Sequence, residues 1–272
     1  MNRLALQEMA NKLRMDVLNS VYHAQSGHIG GAFSSAEIVA YLYFYEMKIK
    51  PTNPGWEERD RFVLSKGHAA PILYSALAER GFFPMSELDN LRKFGSMLQG
   101  HPDMKKTPGV DMSTGSLGQG LAAAAGMAMA GKVNQKKYYV YALVGDGEIE
   151  EGEIWETLMS APKYKLDHLI LFLDHNRIQL DGFTDQIMNS ESVVDKMKAF
   201  NWKVIEIDGH NIQEIDDAVR GAKEIAGQPT AIVANTMKGK GVSFMENKPY
   251  WHGKAPNKDE YIKARKELEA SL

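Results

Sequence analysis

The stretch from Tyr139 to Gly182 constrains this chain more than any other. An apolar, β-branched run, Tyr138 to Val144, breaks at Gly145-Asp146-Gly147. An acid-rich amphipathic segment follows, and a second apolar run, His168 to Leu173, leads into Asp174-His175-Asn176. Strand, turn, helix and strand in that order make one parallel β-α-β unit. Parallel sheets bind ligands beyond the carboxyl ends of their strands. Both polar clusters lie at such ends, so they face one site.

The atoms of that site suggest its ligand. Gly145 permits a tight exit from the strand, Gly147 lets a backbone N–H approach a phosphate unobstructed, and Asp146 offers a carboxylate oxygen. Asn176 adds a neutral amide oxygen, and a nearby backbone carbonyl such as that of Ile178 adds a third. Three such oxygens, completed by phosphate and water, suit octahedral Mg²⁺, which takes few carboxylates and shares its shell with substrate phosphates. Taken alone, the Gly-Asp-Gly serves equally as a strand-ending turn and Asn176 as a loop cap, because short motifs recur without function.

The pair is more specific than either half. GDG followed about thirty residues later by Asn, each at a strand end, resembles the metal and diphosphate motif of thiamine diphosphate enzymes. The surrounding GDGEIEEG and DHNRIQLDG resemble the transketolase family in particular. The resemblance implies thiamine diphosphate as cofactor, held through Mg²⁺, for which Ca²⁺ or Mn²⁺ can substitute. Asp146, Asn176 and the Ile178 carbonyl would then be the metal ligands, with Gly145 and Gly147 against the diphosphate.

Composition removes other classes. The net charge of −3 offers no basic footprint for nucleic acid, and the absence of cysteine excludes disulfides, a thiolate nucleophile and zinc–sulfur sites. The N-terminal twenty residues read as an amphipathic helix, not a targeting segment. The longest small-apolar run, Leu121 to Ala130, is too short to span a bilayer. A cytoplasmic protein with no membrane contact is the expectation.

Elsewhere the pattern continues an α/β fold: a parallel sheet with helices on both faces, as in the diphosphate-binding domain of thiamine diphosphate enzymes. Helices are expected over Leu4–His23 and Ala36–Tyr45, with Ser34 and Glu37 at capping-box spacing and SGHIGGAFSS as a loop between them. A strand over Arg61–Leu64 precedes a third helix that begins near His68. Residues 82–111 carry three prolines and little periodicity, a long loop of the kind that is usually functional. STGSLGQG turns into an alanine-rich helix. Residues 126–133, GMAMAGKV, fall short of a P-loop because Val133 replaces the required hydroxyl residue and the match ends a helix. Glu191–Phe200, Lys203–Ile207, Ile212–Ala226 and Pro229–Asn235 alternate helix and strand, and a charged helix starts at Asp259. Residues 1–272 form one domain on this reading, with no repeat or linker.

Four of eight histidines, His28, His68, His101 and His252, lie in glycine-flanked loops, where backbone and ligand can approach closely. A lone loop histidine is more often a surface residue, but these four match the transketolase pattern one by one. The resemblance implies that His28 and His252 contact the reacting oxygens, His68 the diphosphate and substrate, and His101 a donor hydroxyl. Imidazole suits ketol transfer, which moves protons near neutral pH. His23, His168, His175 and His210 are assigned to packing or surface. Lys66 and Lys238 add positive charge near phosphate or are solvated surface lysines. Gly115, Ser116 and Leu117 match a family segment that lies against the cofactor, although many members carry proline where Ser116 stands. Of the acidic cluster from Glu148 to Glu156, part is explained by a helix dipole. Glu151 corresponds to a family glutamate buried between subunits.

The resemblance covers nearly the whole chain. In the family, a glutamate on a separate pyrimidine-binding domain activates the cofactor, and further residues there clamp the sugar phosphate. The expectation is an N-terminal subunit of a two-component transketolase, paired with a C-terminal subunit that carries the missing domains in an α2β2 assembly. A related ketol transferase with another donor or acceptor, such as formaldehyde or a branched sugar, is the near alternative. A non-catalytic partner-binding paralogue would be expected to carry a damaged metal motif, and Asp146, Gly147 and Asn176 are intact. Deoxyxylulose-phosphate synthase fits the SKGHA and His101 loops less well, and no dinucleotide fingerprint supports a dehydrogenase.

Overall fold

The computed structural model describes residues 2–271. Its strands are β1 (Arg61–Leu64), β2 (Val140–Gly145), β3 (Leu169–His175), a small hairpin of β4 (Ile178–Gln179) and β5 (Gly182–Phe183), β6 (Lys203–Asp208) and β7 (Thr230–Asn235). Helices are α1 (Arg3–Ala24), α2 (Ile29–Ser34), α3 (Ala36–Tyr41), α4 (Ala70–Glu79), α5 (Gln119–Val133), α6 (Gly152–Lys163), α7 (Thr184–Ile187), α8 (Val193–Ala199), α9 (Ile212–Glu224) and α10 (Lys258–Glu269).

Five strands form a parallel sheet in the order β1-β2-β3-β7-β6. Alternate residues of each strand face opposite sides, and both sides are apolar, as a sheet covered on two faces requires. Phe62, Tyr141, Phe172 and Ile232 pack into one core with α1 to α4 and α9. Val63, Ala142, Leu171 and Val233 pack into the other with α5, α6 and α8. The small residues of α5 let it lie close to the sheet, and its Gly120 touches Ser65 so tightly that a Cβ there would meet the serine Cα at 2.7 Å.

Two local expectations fail. SGHIGGAFSS is not a loop throughout, because α2 begins at Ile29 and its two glycines are fully enclosed. Gly30 lies 2.8 Å, by its absent Cβ, from the Trp251 carbonyl, so packing overrides glycine's weak helix propensity. The Ser34–Glu37 capping box does not form either, since both side chains have other buried partners. Ser34 Oγ donates to Asp174 at 2.7 Å, while Glu37 accepts from Arg14 and His210.

Candidate active site

The carboxyl ends of β2 and β3 open into a cavity of about 360 Å³. Of the expected residues, the cavity is lined by His68, Leu117, Gly145, Asp146, Gly147, Asn176, Ile178, Lys238 and His252. His28 joins them through its ring, 5.2 Å from that of His68 and 5.3 Å from that of His252. His101 stands one layer out, its ring against Gly115, where a Cβ would meet it at 2.9 Å. Gly115 has φ +143°, so glycine is required twice over, by conformation and by contact. Ser116 and Glu151 are exposed and outside the cavity.

The buried charges are interlocked. Asp174 is fully buried and accepts from Lys66 Nζ at 2.5 Å, Ser34 Oγ, Asn176 Nδ2 at 2.9 Å and Thr236 Oγ1. Burial alone would push Asp174 up, but the Lys66 ammonium and these donors hold its carboxyl below the usual range. Lys66 and Lys238 are 1% and 2% exposed, which corrects the surface reading of both. Lys238 Nζ donates to the Ile178 carbonyl at 2.9 Å and lies 2.8 Å from His252 Nδ1. Burial lowers its pKa to about 8, opposed by the charge of Asp146.

Asp146 is 3% exposed and accepts from the backbone N–H groups of Gly147 and Arg177. Burial, then the nearby Asp174 charge, pushes its pKa to about 6. The Lys238 and His175 charges pull it back down only in part. Together with Asn176 Oδ1, which accepts from Ile178 N–H at 3.1 Å, and the Ile178 carbonyl, the Asp146 carboxylate presents the oxygen set that suits Mg²⁺. Among the described residues no three His, Asp or Glu side chains are grouped to hold a metal, so any ion here relies on amide and carbonyl oxygens.

The imidazoles are neutral. Burial, followed by the neighbouring cations and histidines, lowers His28 to about 4, His68 to about 2 and His252 to about 3. Near pH 7 each can donate at one nitrogen and accept at the other. His101 is also lowered, by burial and by Arg92. His175 is buried between Glu191 Oε1 at 2.7 Å and Asn235 Oδ1 at 3.2 Å.

Several contributors are not singled out by sequence reasoning. Glu148 groups by sequence with acids that favour a helix dipole, yet α6 starts only at Gly152 and Glu148 is 2% exposed. Its carboxylate accepts from Ser65 Oγ and from the N–H groups of Gly118 and Gly145, so it ties three segments of the site together. Asp174 reads only as a strand end, and Gln179, Leu180 and Ile187 complete the lining from the hairpin side. The signal for Glu148 is its position directly after the glycine turn, where a side chain can reach back to the strand end.

Residues 5–271 match the family described as "Transketolase, thiamine diphosphate binding domain". The chain is 49% identical to the 6-deoxy-6-sulfo-D-fructose transketolase subunit of a Clostridium species, over 98% of this chain and 97% of that one. It is 41% identical to an apulose-4-phosphate transketolase subunit of Phocaeicola vulgatus, over 97% and 93%. The fold superimposes on a transketolase of Campylobacter jejuni with a TM-score of 0.93 and 37% identity. That match covers 99% of this chain but 43% of the longer one. No helix among the described residues is long and apolar enough to cross a membrane.

Proposed function

The chain belongs to the transketolase family as a thiamine diphosphate-binding domain, and from that premise we propose that it is the N-terminal subunit of a two-component transketolase. It moves a two-carbon ketol unit between sugar phosphates once a second polypeptide supplies the pyrimidine-binding half, in an assembly of two chains and two partners. Residues 1–272 act as a single diphosphate-binding domain.

The observation that carries this reading is the meeting of three neutral imidazoles, His28, His68 and His252, with the oxygens of Asp146, Asn176 and Ile178 around one cavity. These oxygens would hold Mg²⁺, while the Gly147 N–H, expected from the sequence to meet a phosphate, is instead bonded to Asp146 Oδ1, and Gly147 would contribute to the diphosphate site only through its missing side chain. The Ile178 carbonyl, which accepts from Lys238 Nζ, would be one of the metal's ligands, and the Lys238 ammonium beside it would add positive charge for a phosphate oxygen. Thiamine diphosphate, when bound, supplies the electron sink for the ketol unit. His28 and His252 hold and pass protons at the sugar oxygens, His68 orients the diphosphate end, and His101 binds a donor hydroxyl. Gly115, Ser116 and Leu117 lie along the cofactor, and Glu151, exposed here, meets the neighbouring subunit.

The two subunit-type relatives carry a sulfonated and a branched sugar in their names, which favours a specialised donor as the second reading. Mixing the purified chain with the product of a neighbouring partner gene, Mg²⁺ and thiamine diphosphate should give one larger species by light scattering and ketol-transfer activity. A donor panel of phosphorylated, sulfonated and branched ketoses then separates the readings. Full activity from this chain alone would remove the two-component proposal.

A further inference from the structure

A second buried charged network lies outside the cavity. Arg14 of α1 is 1% exposed. It donates from Nε and Nη2 to the Phe33 carbonyl at 3.2 and 3.1 Å and from Nη2 to Glu37 Oε2 at 2.5 Å. The same Glu37 oxygen lies 2.9 Å from His210 Nδ1, and the other accepts from Gln7 at 2.8 Å. The opposite ring nitrogen, His210 Nε2, accepts the backbone N–H of Met237 at 2.8 Å. A backbone N–H can only donate, so Nε2 is the bare nitrogen and the ring proton sits on Nδ1, which donates to the Glu37 carboxylate.

Both contacts of the ring therefore demand one tautomer, and Arg14 fixes the carboxylate that selects it. Burial alone would push Glu37 up, but Arg14 and His210 bring it down to about 2, so it stays an acceptor throughout the working range. Met237 is the residue before Lys238, whose ammonium reaches the Ile178 carbonyl and His252. The rest of this segment is held by other groups: Thr236 Oγ1 donates to Asp174, and Gly239 N–H to the Gly30 carbonyl at 3.1 Å. Between those anchors the Lys238 carbonyl accepts from Asn247 N–H at 2.9 Å and the Met237 carbonyl from Lys240 N–H at 3.2 Å, and the Met237 N–H is the bond made to a side chain, that of His210.

We infer that His210 is a positioning residue: the Arg14–Glu37–His210 chain holds the Met237 backbone so that Lys238 points into the diphosphate site. The inference rests on the proposed cofactor site for its consequence but not for its geometry. Arg14 also packs beneath Gly241, where a Cβ would lie 3.4 Å from its Cδ, so the network supports both ends of the 236–241 turn.

The test compares His210→Ala, His210→Gln and the parent chain, all full length. Glutamine carries an amide oxygen that can accept the Met237 N–H in place of Nε2, whereas alanine cannot. Amide hydrogen exchange over residues 236–240 should speed up about tenfold or more in His210→Ala and stay within about threefold of the parent in His210→Gln. Affinity for inorganic diphosphate with Mg²⁺, by calorimetry, should fall about ten- to a hundredfold in the alanine variant and recover in the glutamine variant, the range for losing a supporting group behind a ligand. Equal exchange and affinity in His210→Ala and the parent would overturn the inference, as would equal losses in the alanine and glutamine variants. If the parent chain binds no Mg²⁺-diphosphate, the cofactor-site reading fails, and the exchange arm alone still decides whether His210 holds the segment.

Discussion

The two walls of the cavity are built differently. On the strand-end wall, Asp174, Lys66, Asn176, Lys238 and Glu148 are buried and each is bonded to another group of this chain. On the hairpin wall, Leu180 is 63% exposed, and beside it Ile187 and Met188 are 55% and 59% exposed. Burying an unpaired charge is expensive, so a polar wall survives only when its partners are built in. Exposed apolar residues carry no such demand and are the usual mark of a surface awaiting a partner. On the proposed function, one wall would hold the diphosphate end through groups of this chain and the other would be finished by a second chain.

The strongest way to break that contrast is at Asp146. Asp146→Ala should lower Mg²⁺-dependent affinity for thiamine diphosphate by at least about a hundredfold, since the ion is the main countercharge of the diphosphate. The fold should persist, because the lost carboxylate bonds only to two backbone N–H groups. Unchanged affinity in calorimetry would remove Asp146 from the site. Next in size, His101→Ala in the assembled enzyme should raise KM for the donor or slow its turnover by about ten- to a thousandfold. Steady-state kinetics with His23→Ala as the comparison checks this, since the exposed His23, outside the cavity, should give a much smaller change.

The pH dependence has two opposed parts. Asp146 is raised to about 6 in the folded chain, so below that pH a proton competes with Mg²⁺ and affinity should fall about tenfold between pH 7 and pH 5. By itself the raised value makes ionised Asp146 a cost above pH 6 that is relieved as it protonates. The histidines have the other sign. His28, His68 and His252 are lowered in the folded state, so their contribution is whole above about 6.5 and is lost as pH falls through that value toward 4. Burial also raises Asp16, to about 7, and raises Asp60, Asp111 and Glu148, all with the sign of Asp146, so the histidine part is read by difference. Replacing His28, His68 and His252 together by asparagine should make Tm of the metal-free chain less sensitive to acid between pH 6.5 and 4.5 than that of the parent, and an equal or greater acid sensitivity would contradict the burial of the histidine cluster.

The strand-end wall was legible in the sequence because a parallel β-α-β unit fixes where its polar ends must lie. Gly145, Asp146, Gly147 and Asn176 needed no tertiary knowledge to be placed together. Lys66 and Lys238 were not legible as buried, since a lysine's burial depends on a partner that is far away in sequence. Asp174 lies 108 positions from Lys66 in the chain. The same holds for His210, whose partners Glu37 and Met237 come from two other segments. The helix α2 was hidden for a different reason: consecutive glycines signal a loop locally, and only the close approach of Trp251 and Lys238 explains why they are helical.

The smallest expected effect tests the hairpin wall. Leu180 and Ile187 line the cavity without any polar atom in the buried network, so single changes there should leave that network undisturbed. Leu180→Ser should keep affinity for Mg²⁺-diphosphate within about twofold. The lost leucine surface should still weaken pairing with the partner subunit by about 1 kcal/mol, roughly fivefold in Kd, because only the part buried on docking contributes. Sedimentation of mixed subunits measures the second quantity and calorimetry of the single chain the first. If Leu180→Ser weakened diphosphate binding as much as Asp146→Ala does, the two walls would form one recognition surface and the division of labour would be wrong. If it changed neither quantity, the exposed hairpin would lie outside the docking surface, and Glu151 on α6's leading edge would become the next place to look for the partner.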